Sequence, residues 1–143
     1  MSAIVVDSSV AIKWLISYPD STKAREILDA YQQDGLLLLA PDLIYAEVGN
    51  IIWKFHRFQG LSQSDALEIL QIFQTIDLII KPSSLLLSDA YQIASTHQRT
   101  VYDSLYIALS LRQGCPFLTA DEKLVNSVRS SFSNVFKLSD WNK

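Results

Sequence analysis

Four carboxylates are the residues best placed for chemistry in this chain of 143 amino acids. Asp7 directly follows the apolar run Ala3-Ile-Val-Val6, and Asp121 follows Phe117-Leu-Thr-Ala120. Each therefore sits at the carboxyl end of an expected buried strand. Asp103 opens the apolar stretch Ser104-Leu-Tyr-Ile-Ala-Leu-Ser-Leu111, so it stands in the first turn of an expected buried helix. Glu47 lies beside the apolar stripe Ile44, Val48, Ile51 and Phe55 of another helix. A carboxylate on such a shoulder risks desolvation and needs a partner. Asn50, one turn on, is placed to steady that helix by hydrogen bonds. Taken singly, each Asp is also what helix capping puts there. Glu47 and Asn50 are equally open between an ordinary shoulder position and a functional one.

Four carboxylates in one place repel unless cations or protons intervene. Mg²⁺ and Mn²⁺ are hard ions that prefer oxygen ligands and keep several waters. No soft-metal set competes: one cysteine and two histidines, His56 and His97, give no zinc spacing. An all-carboxylate site with hydrated Mg²⁺ suits phosphodiester cleavage. Glycine-rich phosphate loops and dinucleotide motifs are absent.

The elements that must position these acids alternate along the chain. Apolar runs at 3–6, 36–40, 78–81 and 117–119 read as strands buried on both faces, with 135–138 as a short fifth. Helices are expected from Asp7 to a break at Tyr18-Pro19, then from Asp20 or Ser21 to Gln33. Further helices run over 42–58, from a Ser62 cap to Thr75, from Ser83 or Ser84 to His97, over 103–112 and over 121–130. This alternation predicts an α/β fold, a three-layer α/β/α sandwich with a central parallel sheet of four to five strands. In such sheets ligands bind beyond the carboxyl ends of the strands, where strand order reverses.

Length fits one domain, residues 1–143, able to bury a core. Hydrophobic residues make up 49% and charged residues 19%, which excludes a disordered chain. No run reaches the length of a membrane span, and Met-Ser-Ala-Ile-Val-Val reads as a strand, not a signal peptide. Cys115 alone cannot form an internal disulfide and reads as a buried small hydrophobe. A cytoplasmic location is expected. Net charge is −3 with a pI near 5.2, which argues weakly against nucleic acid. An acidic metal site inflates that negative count, so charge does not decide the matter.

Four blocks then carry a resemblance: Ile4-Val-Val-Asp7-Ser-Ser9, Ala40-Pro-Asp-Leu-Ile-Tyr-Ala-Glu47-Val-Gly-Asn50, Thr100-Val-Tyr-Asp103-Ser-Leu-Tyr-Ile-Ala-Leu109, and Phe117-Leu-Thr-Ala-Asp121-Glu-Lys-Leu124. In order and spacing they resemble PIN domains, specifically the toxin ribonucleases of VapBC-type toxin–antitoxin modules. The resemblance implies a hydrolase, an Mg²⁺- or Mn²⁺-dependent endoribonuclease acting on single-stranded RNA. It implies metal-binding roles for Asp7, Glu47, Asp103 and Asp121, with Ser9 and Thr119 orienting them. A cognate antitoxin and a homodimer are the implied partners. Two positions depart from the pattern. Lys123 stands where some members carry a further acid, and Ser104 stands where alanine is frequent.

Lys13, Lys54, His56, Arg57, Arg99 and Arg112 are candidates to hold RNA, with Trp14 and Trp53 to stack on bases. Solvated charges and core aromatics explain each of them as well. The amphipathic segment 61–76, with Leu67, Leu70, Ile72 and Phe73, reads as core packing or as a contact for the antitoxin or a second copy. A PIN-fold nuclease for RNA processing or repair, and a catalytically silent interaction module, remain open alternatives.

Overall fold

Short β-branched and leucine runs become central strands because both their faces can be covered by helices. The computed structural model describes residues 2–142. Its elements run β1 (Ala3–Val6), α1 (Ser8–Leu15), α2 (Ser21–Asp34), β2 (Leu37–Pro41), α3 (Leu43–Gln59), α4 (Gln63–Thr75) and β3 (Ile79–Lys81). There follow α5 (Ser83–His97), α6 (Val101–Gln113), β4 (Phe117–Thr119), α7 (Glu122–Val128) and β5 (Val135–Lys137), with a 3₁₀ turn at Leu138–Asp140. The five strands form one parallel sheet in the order β3-β2-β1-β4-β5. Successive units lead outward from β1 through β2 to β3, and the chain then returns to place β4 on the other side of β1. The switch point therefore lies between β1 and β4, the strands that end just before Asp7 and Asp121.

Val5, Val6, Leu38, Ala40, Phe117 and Leu118 are all almost wholly buried, as their apolar runs require. Helix α6 lies across β1 and β2 and pairs with α5, while α1 packs on α2 and α3. From Ser104 to Ser110 every residue of α6 is buried, the all-round burial expected of its sequence. Its polar members are satisfied internally. Ser104 Oγ donates to Thr100 O at 2.8 Å and Ser110 Oγ to Ile107 O at 2.7 Å. Cys115 is buried, and burial pushes its thiol pKa up.

Several expected boundaries move, each for a local reason. Asp103 does not begin its helix. Thr100 caps α6 by accepting from Asp103 N at 3.0 Å, which makes Asp103 the third helical residue. Pro41 ends β2 from inside the strand, since proline tolerates extended backbone at a strand end. Ser83 does not cap α5: its N–H and hydroxyl both donate to Asp42 Oδ1, tying α5 to the start of α3. The stripe of α3 runs through Ile44, Val48 and Ile52, with Ile51 and Phe55 only half-buried. In α4, Ala66 and Phe73 are buried, but Leu67 and Ile72 are about half exposed and do not pack in the core. Gly114 closes α6 with φ +62°, a left-handed conformation that glycine enters without a Cβ penalty.

Candidate metal centre

Asp7 is the N-cap of α1 and only 8% exposed. Its Oδ1 accepts from Ser9 Oγ at 2.5 Å and from the Val10 N–H at 3.3 Å; its Oδ2 accepts from Thr119 Oγ1 at 2.6 Å. Burial raises its pKa from 3.8 to about 6, opposed by the hydrogen bonds from Ser9, Thr119 and Val10, and the charge of Glu47 adds to the rise. Capping therefore explains its position but not its cost. A carboxylate held this far from water favours a proton or a cation beside it.

Thr119 is wholly buried at the end of β4 and joins the two sides of the switch point. Besides donating to Asp7, its hydroxyl oxygen accepts from the Asp121 N–H at 3.1 Å and lies 3.2 Å from Ser9 Oγ. Ser9 Oγ in turn accepts from the Ala120 N–H at 2.9 Å. Asp121 is half-buried and caps α7, its Oδ1 accepting from the Leu124 N–H at 3.1 Å. Thr119→Val keeps the shape but strands Asp7 Oδ2 and the Asp121 N–H. The expected loss is about 1–3 kcal/mol of stability in thermal denaturation. Mn²⁺ binding, read by calorimetry, should weaken about 10–100-fold.

Glu47 is half-buried on α3, and its Oε1 accepts from Tyr106 Oη at 2.5 Å. Burial pushes its pKa up; the Tyr106 hydrogen bond pulls it down, the Asp103 charge raises it, and a Ser8 hydrogen bond lowers it. Asp103 stands three residues before Tyr106 on α6, so one helix face carries both. Asp103 Oδ2 pairs with Arg99 Nη2 at 3.2 Å, and both side chains are about 70% buried. The left-handed backbone of Gln98 (φ +53°) closes α5 just before Arg99, whose buried Nε has no hydrogen-bond partner among the described residues.

Asp7, Glu47 and Asp103 thus form a chain of mutually repelling charges, and Thr119 links Asp121 to it. Among the described residues, no three Asp, Glu, His or Cys side chains form a closed chelating cluster. The donors are all carboxylate oxygens. That set, incomplete by itself, fits an ion that takes one or two carboxylates and keeps its waters, as Mg²⁺ does. It does not fit a metal that demands a full protein cage.

Asn50 is not part of the arrangement: it is exposed, and among the described residues its side chain has no hydrogen-bond partner. Trp14 is excluded from base stacking, because it is buried and its Nε1 donates to Ala24 O at 2.8 Å. Lys13 pairs with Asp20 at 2.8 Å, His56 Nδ1 lies 2.7 Å from Leu61 O, and Arg112 donates to Leu85 O at 2.9 Å. Lys54, Arg57 and Trp53 are exposed, Trp53 edge-on to Phe58. Tyr106 is the residue that sequence reasoning passed over. Its signal was there: a phenol three positions after Asp103, inside a helix whose other buried members are apolar save for two serines.

A parallel sheet with a buried and a half-buried aspartate at its switch point defines a class of α/β protein with a carboxylate-lined sheet edge. Residues 4–128 match the family model of the PIN domain, and the chain belongs to that family. It is 31% identical over 123 residues to Ribonuclease VapC3 of Pyrobaculum aerophilum, spanning 85% of this chain and 91% of that protein. The fold is also that of PAE2754 from Pyrobaculum aerophilum, with TM-score 0.70, 19% identity, and coverage of 96% of this chain and 85% of that one. VapC20 of Mycobacterium tuberculosis, described as a sarcin–ricin loop cleaving toxin, superposes with TM-score 0.63 at 13% identity over 90% and 95% of the two chains. VapBC2 from Rickettsia felis, bound to a promoter DNA fragment, gives TM-score 0.62 at 13% identity over 98% and 99%.

Proposed function

We propose that this chain is a metal-dependent endoribonuclease, the toxin of a toxin–antitoxin pair, with residues 1–143 acting as one nuclease domain. The observation that carries the reading is Asp7. It is buried at the switch point, gripped by three hydrogen bonds and raised by burial to about pKa 6. Asp7, Glu47, Asp103 and Asp121 would hold Mg²⁺, or Mn²⁺ in its place. Bound there, the ion would supply charge to polarise the phosphodiester and lower the pKa of water. The chain's own residues do the rest. Ser9 and Thr119 fix the Asp7 carboxylate, and Tyr106 fixes Glu47. Arg99, paired with Asp103, brings positive charge to the edge where an RNA phosphate would approach.

The ribonuclease named among the relatives supports RNA as the substrate, and the VapBC2 assembly of the same fold supports an antitoxin partner. Leu67 and Ile72, left half exposed on α4, offer the antitoxin or a second copy an apolar surface. A homodimer in the cytoplasm completes the reading. No helix among the described residues is long and apolar enough to cross a membrane.

Incubation of the purified chain with a labelled single-stranded RNA tests this. Cleavage is expected with Mg²⁺ and none with EDTA, and Asp103→Asn should slow it by about a hundredfold or more. Cleavage that persists in EDTA, or that Asp103→Asn leaves intact, would refute the metal mechanism.

A further inference from the structure

Tyr106 lies within the Asp103 block but is not one of the four proposed ligands, and the structure holds it from two sides. It is 2% exposed, and its ring stacks on Phe117 at 5.7 Å with an interplanar angle of 11°. Phe117 belongs to β4, so the strand that leads to Asp121 also fixes the Tyr106 ring. The hydroxyl then reaches 59 residues back along the sequence to Glu47 Oε1 at 2.5 Å. The Tyr106 bond engages Oε1 in particular, and a hydrogen bond from Ser8 adds to the hold on the same carboxylate.

A carboxylate oxygen that already accepts a short hydrogen bond from a phenol is a poorer metal ligand than one that does not. Its electron density is drawn toward the donor, and the carboxylate plane can no longer turn. Glu47 is thereby biased to offer a cation a single oxygen. Mg²⁺ and Mn²⁺ accept such monodentate carboxylates in octahedral sites. Ca²⁺ is larger, takes 6–8 oxygens, and gains from a carboxylate that can bind through both. We propose that Tyr106 is a positioning residue that selects the metal: by engaging Glu47 Oε1 it keeps Glu47 a one-oxygen ligand and disfavours Ca²⁺. The inference rests on the metal site proposed above.

Titration calorimetry of the full chain with Mn²⁺ and, separately, with Ca²⁺ tests it. Tyr106→Phe keeps the ring and its stacking on Phe117 and removes only the hydroxyl; circular dichroism confirms the fold. The ratio of the Ca²⁺ to the Mn²⁺ dissociation constant should fall by about tenfold in Tyr106→Phe. In a Glu47→Gln background the same substitution should leave that ratio where it was, since no carboxylate remains to change its binding mode. A Tyr106→Phe protein in which both affinities move by one factor, or neither moves, would overturn metal selection by Tyr106. So would a ratio that still shifts without the Glu47 carboxylate. Failure of the unsubstituted chain to bind Mn²⁺ at all is a separate outcome, and it would overturn the metal site itself along with this inference.

Discussion

Asp7→Asn is expected to abolish RNA cleavage while making the metal-free protein more stable at pH 7. The two effects share one cause. Burial raises the Asp7 pKa from 3.8 to about 6, so the folded chain holds an ionised carboxylate at neutral pH against its solvation cost. Asparagine has nearly the same shape and no charge. Its oxygen can still accept from Ser9 and Val10, and its amide can meet the Thr119 hydroxyl. The gain is bounded by the raised pKa, about 3 kcal/mol, and should be visible as a melting temperature several degrees higher. Cleavage should fall about a hundredfold or more, because the neutral amide is a weak ligand for a hard cation. An Asn variant that is both inactive and less stable would mean that Asp7 is chiefly a structural cap.

The second large effect is a stability profile that divalent metal inverts. For a carboxyl whose folded pKa lies above its unfolded one, the stabilising contribution is complete below the unfolded value and disappears as pH rises through the folded value. With EDTA, the Asp7 contribution should therefore be full below about pH 4 and lost by about pH 7. Glu47, also raised by burial, acts in the same direction. Mn²⁺ binds the ionised carboxylates, so its effect should grow over that window. At a free concentration a hundred times its dissociation constant, it should add about 2.7 kcal/mol, or roughly 10 °C, near pH 7, and far less at pH 4. Melting curves across pH with Mn²⁺ and with EDTA measure this directly. Parallel profiles in the two conditions would contradict it.

Much of the arrangement is legible from local pattern. Asp7 and Asp121 each follow a short apolar run that reads as a central strand, so their place at the sheet edge is a matter of counting residues. Asp103 enters with a helix apolar almost all round, and such a helix belongs in the core. Helix phase is less forgiving. The stripe of α3 passes through Ile44, Val48 and Ile52, each four apart, and on that phase Asn50 points away from the core while Glu47 stays on the shoulder. Shifting the stripe by one residue, to Ile51, is enough to suggest a role for Asn50 that its exposure does not support. What local pattern does not hold is the long-range pairing. Tyr106 meets Glu47 across 59 positions, from α6 to α3, and Thr119 meets Asp7 across 112, a pairing that exists only once β4 has returned beside β1. Trp14 looks like a stacking platform by residue type, and only its buried hydrogen bond to Ala24 O assigns it to the core.

Calorimetric titration of the native chain with Mn²⁺ at pH 6, in two buffers of different ionisation enthalpy, tests the central claim most directly. Burial raises the Asp7 pKa to about 6, so binding at that pH should be saturable and should release protons, and Asp7→Asn should weaken the binding and cut the proton release. No binding, or binding that releases no proton and survives Asp7→Asn, would contradict a metal centre built on Asp7.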